Sequence, residues 1–83
     1  MKKLYYTSRL RVFNENNETI RTDADIYHGE NRTQAEKEFD KINYMMYAML
    51  NKDEHAMRVL YEVVEDTSDP MIKYNPLKIF RTH

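Results

Sequence analysis

Cysteine is absent from this chain, which excludes a disulfide framework and any thiolate metal site. Glycine occurs once, at Gly29. Loops that cradle phosphates need several glycines so that backbone amides can approach the ligand, and a Walker or Rossmann loop is therefore excluded. No apolar run approaches the roughly 18 residues that a membrane span requires. The first residues, MKKLYYTSRL, start basic but have no apolar stretch of signal-peptide length before Arg9 and Arg11. The expectation is a soluble, cytoplasmic protein without membrane contact. The sequons at Asn17-Glu18-Thr19 and Asn31-Arg32-Thr33 then read as chance matches.

The chain's 83 residues fit one domain, spanning 1–83, with a thin core. A formal net charge of −1 hides an uneven distribution: residues 1–12 carry +4, residues 71–83 carry +3, and residues 13–70 carry −8. Both ends are basic and the middle is acidic.

Residues 3–13 alternate, and side chains on a strand alternate faces. Leu4, Tyr6, Ser8, Leu10 and Val12 are assigned to the core side; Tyr5, Thr7, Arg9, Arg11 and Phe13 face outward. The run Asn14–Glu18 reads as a hairpin loop, because Asn tolerates left-handed backbone and neither Asn nor Glu favours strands. Residues 19–28 alternate again, with Ile20, Thr22, Ala24 and Ile26 inward and Thr19, Arg21, Asp23, Asp25 and Tyr27 outward. Thr33-Gln34-Ala35-Glu36 has the form of a capping box. Ala35, Phe39, Ile42, Met46 and Met49 then recur at helical spacing, which predicts about five turns ending near Asn51-Lys52. A third strand is expected over 55–65. The connecting turn spans 66–70, and a fourth strand runs through 71–81 with a bulge or break at Pro76 that marks it as an edge. The predicted class is α+β: a four-stranded antiparallel sheet, ββαββ in order 2-1-3-4, with one helix on one face.

Chemistry-bearing constellations are sparse. His28, His55 and His83 have no mutual helical spacing and no cysteine to supplement them, so they read as solvated loop residues rather than metal ligands. Asp23 and Asp25 read as cross-strand ion-pair partners for Arg9 and Arg11. Ser8 and Ser68 lack a visible His/Asp partner. No catalytic residue, cofactor or metal is assigned, and the chain is expected not to be an enzyme.

The aromatic inventory is larger than one thin core absorbs: seven Tyr and three Phe. One helix covers one sheet face, which leaves Tyr5, Phe13, Tyr27, Leu60, Val64 and Phe80 for the other. Mixed with Arg9, Arg11, Arg21 and Glu62, that face has interface composition. Tyr44 and Tyr47 form a second candidate ridge on the helix, where Met45, Met46, Met49 and Leu50 widen the apolar stripe. The expectation is a small protein-binding module, an inhibitor or regulator of the kind phages and mobile elements encode. It would contact its partner through Tyr5, Arg9, Arg11, Phe13, Tyr27, Tyr44 and Tyr47. A homodimer through the open face or the edge strand competes for the same surface. The alternative is nucleic-acid binding by Arg9, Arg11, Lys73, Lys78 and Arg81 with interleaved aromatics. Presentation of the acidic middle to a basic partner is a further reading.

Overall fold

The computed structural model describes residues 2–66 and 68–82. Met1, Thr67 and His83 lie outside the described residues, and with them one residue of the expected 66–70 turn and one of the three histidines. The fold is α+β, one helix on a five-stranded antiparallel sheet. In chain order the strands are β1 (Lys2–Phe13), β2 (Thr19–Thr22) and β3 (Ile26–Tyr27); helix α1 (Arg32–Tyr44) and a 3-10 turn (Met46–Met49) precede β4 (His55–Asp66) and β5 (Asp69–Arg81). The sheet order is β2-β1-β4-β5, with β3 pairing further along the same edge of β1. Three strands of 12 or 13 residues make an elongated molecule of 46 × 25 × 16 Å. The helix, with 13 residues at about 1.5 Å each, roofs only part of that length.

The first hairpin forms as its sequence requires. Asn14 Oδ1 accepts the backbone N–H groups of Asn16 and Glu18 at 2.9 and 3.0 Å, and Asn17 takes φ 64°, which Asn tolerates better than most residues. The expected second strand divides into β2 and β3, interrupted over Asp23-Ala24-Asp25. Its supposed inner residues, Ile20, Thr22, Ala24 and Ile26, are all exposed, because this edge lies beyond the reach of the single helix. A bulge at Val12/Phe13 also shifts the register, so that Arg21 rather than Ile20 stands opposite Val12 and Thr22 falls on the other side, opposite Arg11. Past β3, the His28 N–H donates to Tyr6 O and the Tyr6 N–H to Gly29 O. Gly29 then turns the chain off the sheet edge with φ +89°, a conformation that costs glycine nothing.

The helix starts earlier and ends earlier than the capping-box reading implied. Asn31, not Thr33, is the N-cap, accepting from the Gln34 N–H at 3.0 Å. The helix stops at Tyr44, and the chain tightens into the 3-10 turn. The expected stripe holds for Ala35, Phe39 and Met46, which are buried, and Ile42, which is half-buried; the change of winding leaves Met49 exposed. Tyr6, Ala35, Phe39 and Leu60 form one core cluster, Leu10, Val12, Met46 and Ala56 the other, and Phe80 packs against both.

Phe80 and Leu60 were both expected on the open face, and both lie under the helix. Register decides this: β1 and β4 pair Ser8↔Leu60 and Leu4↔Val64, and β5 places Phe80 opposite Arg58. Val64 and Glu62 consequently share the helix side with Leu60, and the Tyr6 hydroxyl donates to Glu62 at 3.4 Å. A one-residue slip in assignment exchanges every side chain between faces, and a run as uniformly apolar as Val59-Leu60-Tyr61 gives no alternation to prevent it. β5 is continuous across Pro76. As an edge strand it accommodates the proline, and a bulge at Leu77 restores pairing on either side.

Candidate partner-binding face

The side of the sheet without the helix is built from the odd-numbered residues of β1 and β4 and their partners on β5. It is ordered in rows. Tyr5, Val63 and Tyr74 form one; Tyr27, Thr7, Tyr61 and Pro76 the next; Arg9, Val59 and Ile79 a third; and Thr22, Arg11, Met57 and Arg81 a fourth. Phe13 and His55 begin the row beyond. Within one half of the face the aromatics touch. Tyr5 meets Tyr27 at a tilt, with ring centroids 5.8 Å apart, and Tyr61 meets Tyr74 edge-on at 6.0 Å, the latter a favourable quadrupole geometry. The Arg9 guanidinium lies over Tyr61 and Tyr74 at 5.8 and 5.9 Å, and the Lys3 ammonium over Tyr5 at 5.5 Å.

Arg9 is held in place by Asp25, which accepts both of its donated bonds at 3.0 and 3.1 Å; these contacts raise the guanidinium pKa. The cross-strand pairing expected of Asp25 therefore forms with Arg9, whereas Asp23 pairs with Arg21 at 3.4 Å. Arg11 has no carboxylate partner among the described residues.

Of the expected contact residues, Tyr5, Arg9, Arg11, Phe13 and Tyr27 are brought together on this one face. Tyr44 and Tyr47 are not, because they sit on the opposite side, at the end of the helix. Tyr44 is 86% exposed. Tyr47 stands edge-on to Phe80 at 6.0 Å, beside a cleft of about 320 Å³ that Asp40, Asn43 and Tyr44 also line. The nucleic-acid set is divided. Arg9, Arg11 and Arg81 share the open face, but Lys73 stands opposite Val64 and Lys78 opposite Leu60, on the helix side, where Lys78 is bound to Asp40 at 2.9 Å.

A polar chain under the helix escaped the sequence. His28 is not a solvated loop residue: its side chain is buried, with Nδ1 at 3.1 Å from Glu38 Oε2 and Nε2 at 2.8 Å from Ser8 Oγ. Arg58, also buried, donates from an Nη to the same Ser8 oxygen at 3.4 Å, and burial lowers its pKa. With the imidazole proton on Nδ1, each group donates to the next, from Arg58 to Ser8 to His28 to Glu38. The order matches a serine–histidine–carboxylate triad. Access does not, because Ser8 has no exposed surface and no acyl group reaches its hydroxyl in this packing. The histidine sits ten residues before Glu38 and twenty after Ser8, separations that no local spacing rule detects. Among the described residues no group of three or more His, Asp or Glu is placed to hold a metal ion, and no helix is long and apolar enough to cross a membrane.

No protein-family model, curated protein or solved structure matches this chain.

Proposed function

We propose that this chain is a small protein-binding module whose contact surface is the open face of the sheet. One observation carries the reading: a sheet face with no second layer is furnished with tyrosine and arginine in mutual contact rather than with the small polar residues a solvated sheet face normally carries. Tyr supplies large contact area at low entropic cost, and Tyr and Arg are the usual anchors of protein interfaces. Here they are also pre-organised, since Arg9 is fixed by Asp25 and stacked on two rings, so little rotamer freedom remains to be lost on binding. Tyr27, Tyr74 and Ile79 are 58%, 46% and 55% exposed and are the residues a partner would cover. A binder of this kind acts by occupancy, as an inhibitor or regulator does, and needs no chemistry of its own.

The test is affinity capture from a host lysate after nuclease treatment, with wild-type, Tyr27→Ala and Arg11→Ala protein compared side by side. A single protein retained by the wild type and lost with the variants, while their thermal stability is unchanged, supports the reading. Equal capture by all three overturns the assignment of the face. Retention that disappears with nuclease transfers the function to nucleic acid, and a dimer in light scattering that the same substitutions dissolve transfers the face to a second copy.

A further inference from the structure

The two ends of the open face differ in charge balance. At the aromatic end each cation is engaged: Lys3 lies over Tyr5 and stands opposite Glu65, and Arg9 is bound by Asp25. At the other end Arg11 and Arg81 flank Met57 in one row. Both are exposed, and neither has a carboxylate partner among the described residues. Strands about 4.8 Å apart place their backbones roughly 10 Å from each other, a span two long side chains close easily around one anion. Beside this row is a cleft of about 200 Å³ lined by Phe13, His55, Met57, Arg81 and Thr82. The Phe13 and His55 rings stack at 5.2 Å on its border. A cavity of about 150 Å³ is enough for a benzene ring, so one aromatic or branched aliphatic side chain fits.

We propose that this arginine end selects an acidic partner: it takes a segment in which an apolar side chain fills the cleft and an adjacent carboxylate is held between Arg11 and Arg81. The inference rests on the protein-binding reading and gives the partner's chemistry. Charge complementarity favours a peptide over a nucleic acid strand. Two guanidiniums without a carboxylate partner among the described residues match one or two carboxylates, whereas phosphate-backbone binding gains with each added cationic contact, and the lysines that would extend the track are on the far side of the sheet.

The experiment is an NMR titration of isotope-labelled protein with three probes: the blocked tripeptide Glu-Phe-Glu, its Gln-Phe-Gln counterpart and a short oligothymidylate. The expected result is that the acidic tripeptide shifts the Arg11 and Arg81 Nε–H signals and the Met57 methyl. The neutral tripeptide should bind more weakly. Arg11→Gln and Arg81→Gln should each weaken the acidic probe about three- to fivefold, and together about tenfold, at unchanged melting temperature. No shift with the acidic probe, equal affinity for the neutral one, or indifference to both arginine substitutions overturns the proposal. Stronger binding of the oligothymidylate at the same residues replaces it with a nucleic-acid site. A partner whose capture needs Tyr27 but not Arg11 or Arg81 would leave the protein-binding reading standing while this inference falls.

Discussion

Leu60 and Val63 lie three residues apart on β4, face opposite sides of the sheet and are both fully buried. Leu60 is covered in the ordinary way, by Phe39 and Ala35 of the helix. Val63 has no second layer above it; Tyr5 and Tyr74 flank it in register, and Tyr61 and Arg9 complete the canopy. The same holds for Thr7 and Val59, at 8% and 7% exposure on the open side. One face thus buries its aliphatics beneath another element, the other beneath its own large side chains. The open face is a thin self-covered layer whose outermost groups are aromatic and cationic. Unpaired buried polar atoms occur on both sides: Thr7 Oγ1 on the open face and, under the helix, the Nε of the buried Arg58 guanidinium and both polar atoms of the Asn43 amide.

That contrast breaks first at the helix. Phe39→Ala empties the centre of the roofed core and should cost about 3–5 kcal/mol, a large share of the stability of a domain this size, whereas no single truncation on the open face should approach it. Thermal melts of the two sets check this; comparable losses on both faces would mean that the open face is structural core and not a contact surface.

The buried polar chain predicts opposite signs from two of its members. His28→Ala leaves the buried Ser8 hydroxyl without its acceptor and should lower stability by about 1–3 kcal/mol. Arg58→Met replaces a poorly satisfied buried cation by an apolar isostere and should raise it, by about 1 kcal/mol or more. Denaturant melts of both variants decide the matter. A destabilised Arg58→Met would show that the guanidinium holds Ser8 and His28 in place more than its burial costs.

Much of this organisation was legible in the residues and some was not. Alternation over Leu4–Val12 placed β1 correctly because polar and apolar positions differ there, and the Asn-rich loop and the edge character of β5 followed from backbone preferences alone. The faces of β4 were not legible, because Val59 to Val64 places apolar residues on both sides, Glu62 being the one charge, and only pairing with β1 fixes the register. The candidate face was half legible: Tyr5, Arg9, Arg11, Phe13 and Tyr27 follow from alternation, but Tyr61, Tyr74, Ile79 and Met57 enter only through that register. His28 was misread because its burial depends on the helix laying Glu38 beside it, a tertiary fact with no local signature.

A smaller effect is expected at high pH. Burial, and after it the Glu62 carboxylate, raises the Tyr6 pKa above its ordinary 10.0. A phenol whose folded pKa exceeds the unfolded one contributes stability that is present below the unfolded value and is lost as pH rises through the folded one. Stability should therefore fall above about pH 10, more steeply in the wild type than in Tyr6→Phe. Urea melts across that range measure the difference, and identical slopes would mean that Tyr6 ionises alike in the folded and unfolded chain and that other groups carry the loss.

The smallest effects should distinguish residues within the open face itself. Tyr27 touches Tyr5 at the rim and is more than half exposed, so Tyr27→Ala should change stability by less than about 0.5 kcal/mol. Tyr74 stands opposite Val63 on β5, with the Arg9 guanidinium over its ring; its truncation opens one flank of a buried valine and removes a ring from the canopy, so Tyr74→Ala should cost more, about 1 kcal/mol. If the two cost the same, the canopy is not what buries Val63 and twist of the sheet must do it. If Tyr74→Ala costs more while Tyr27→Ala costs nothing and abolishes partner capture, the two tyrosines differ in role: Tyr74 helps to keep Val63 from water, and Tyr27 serves binding alone.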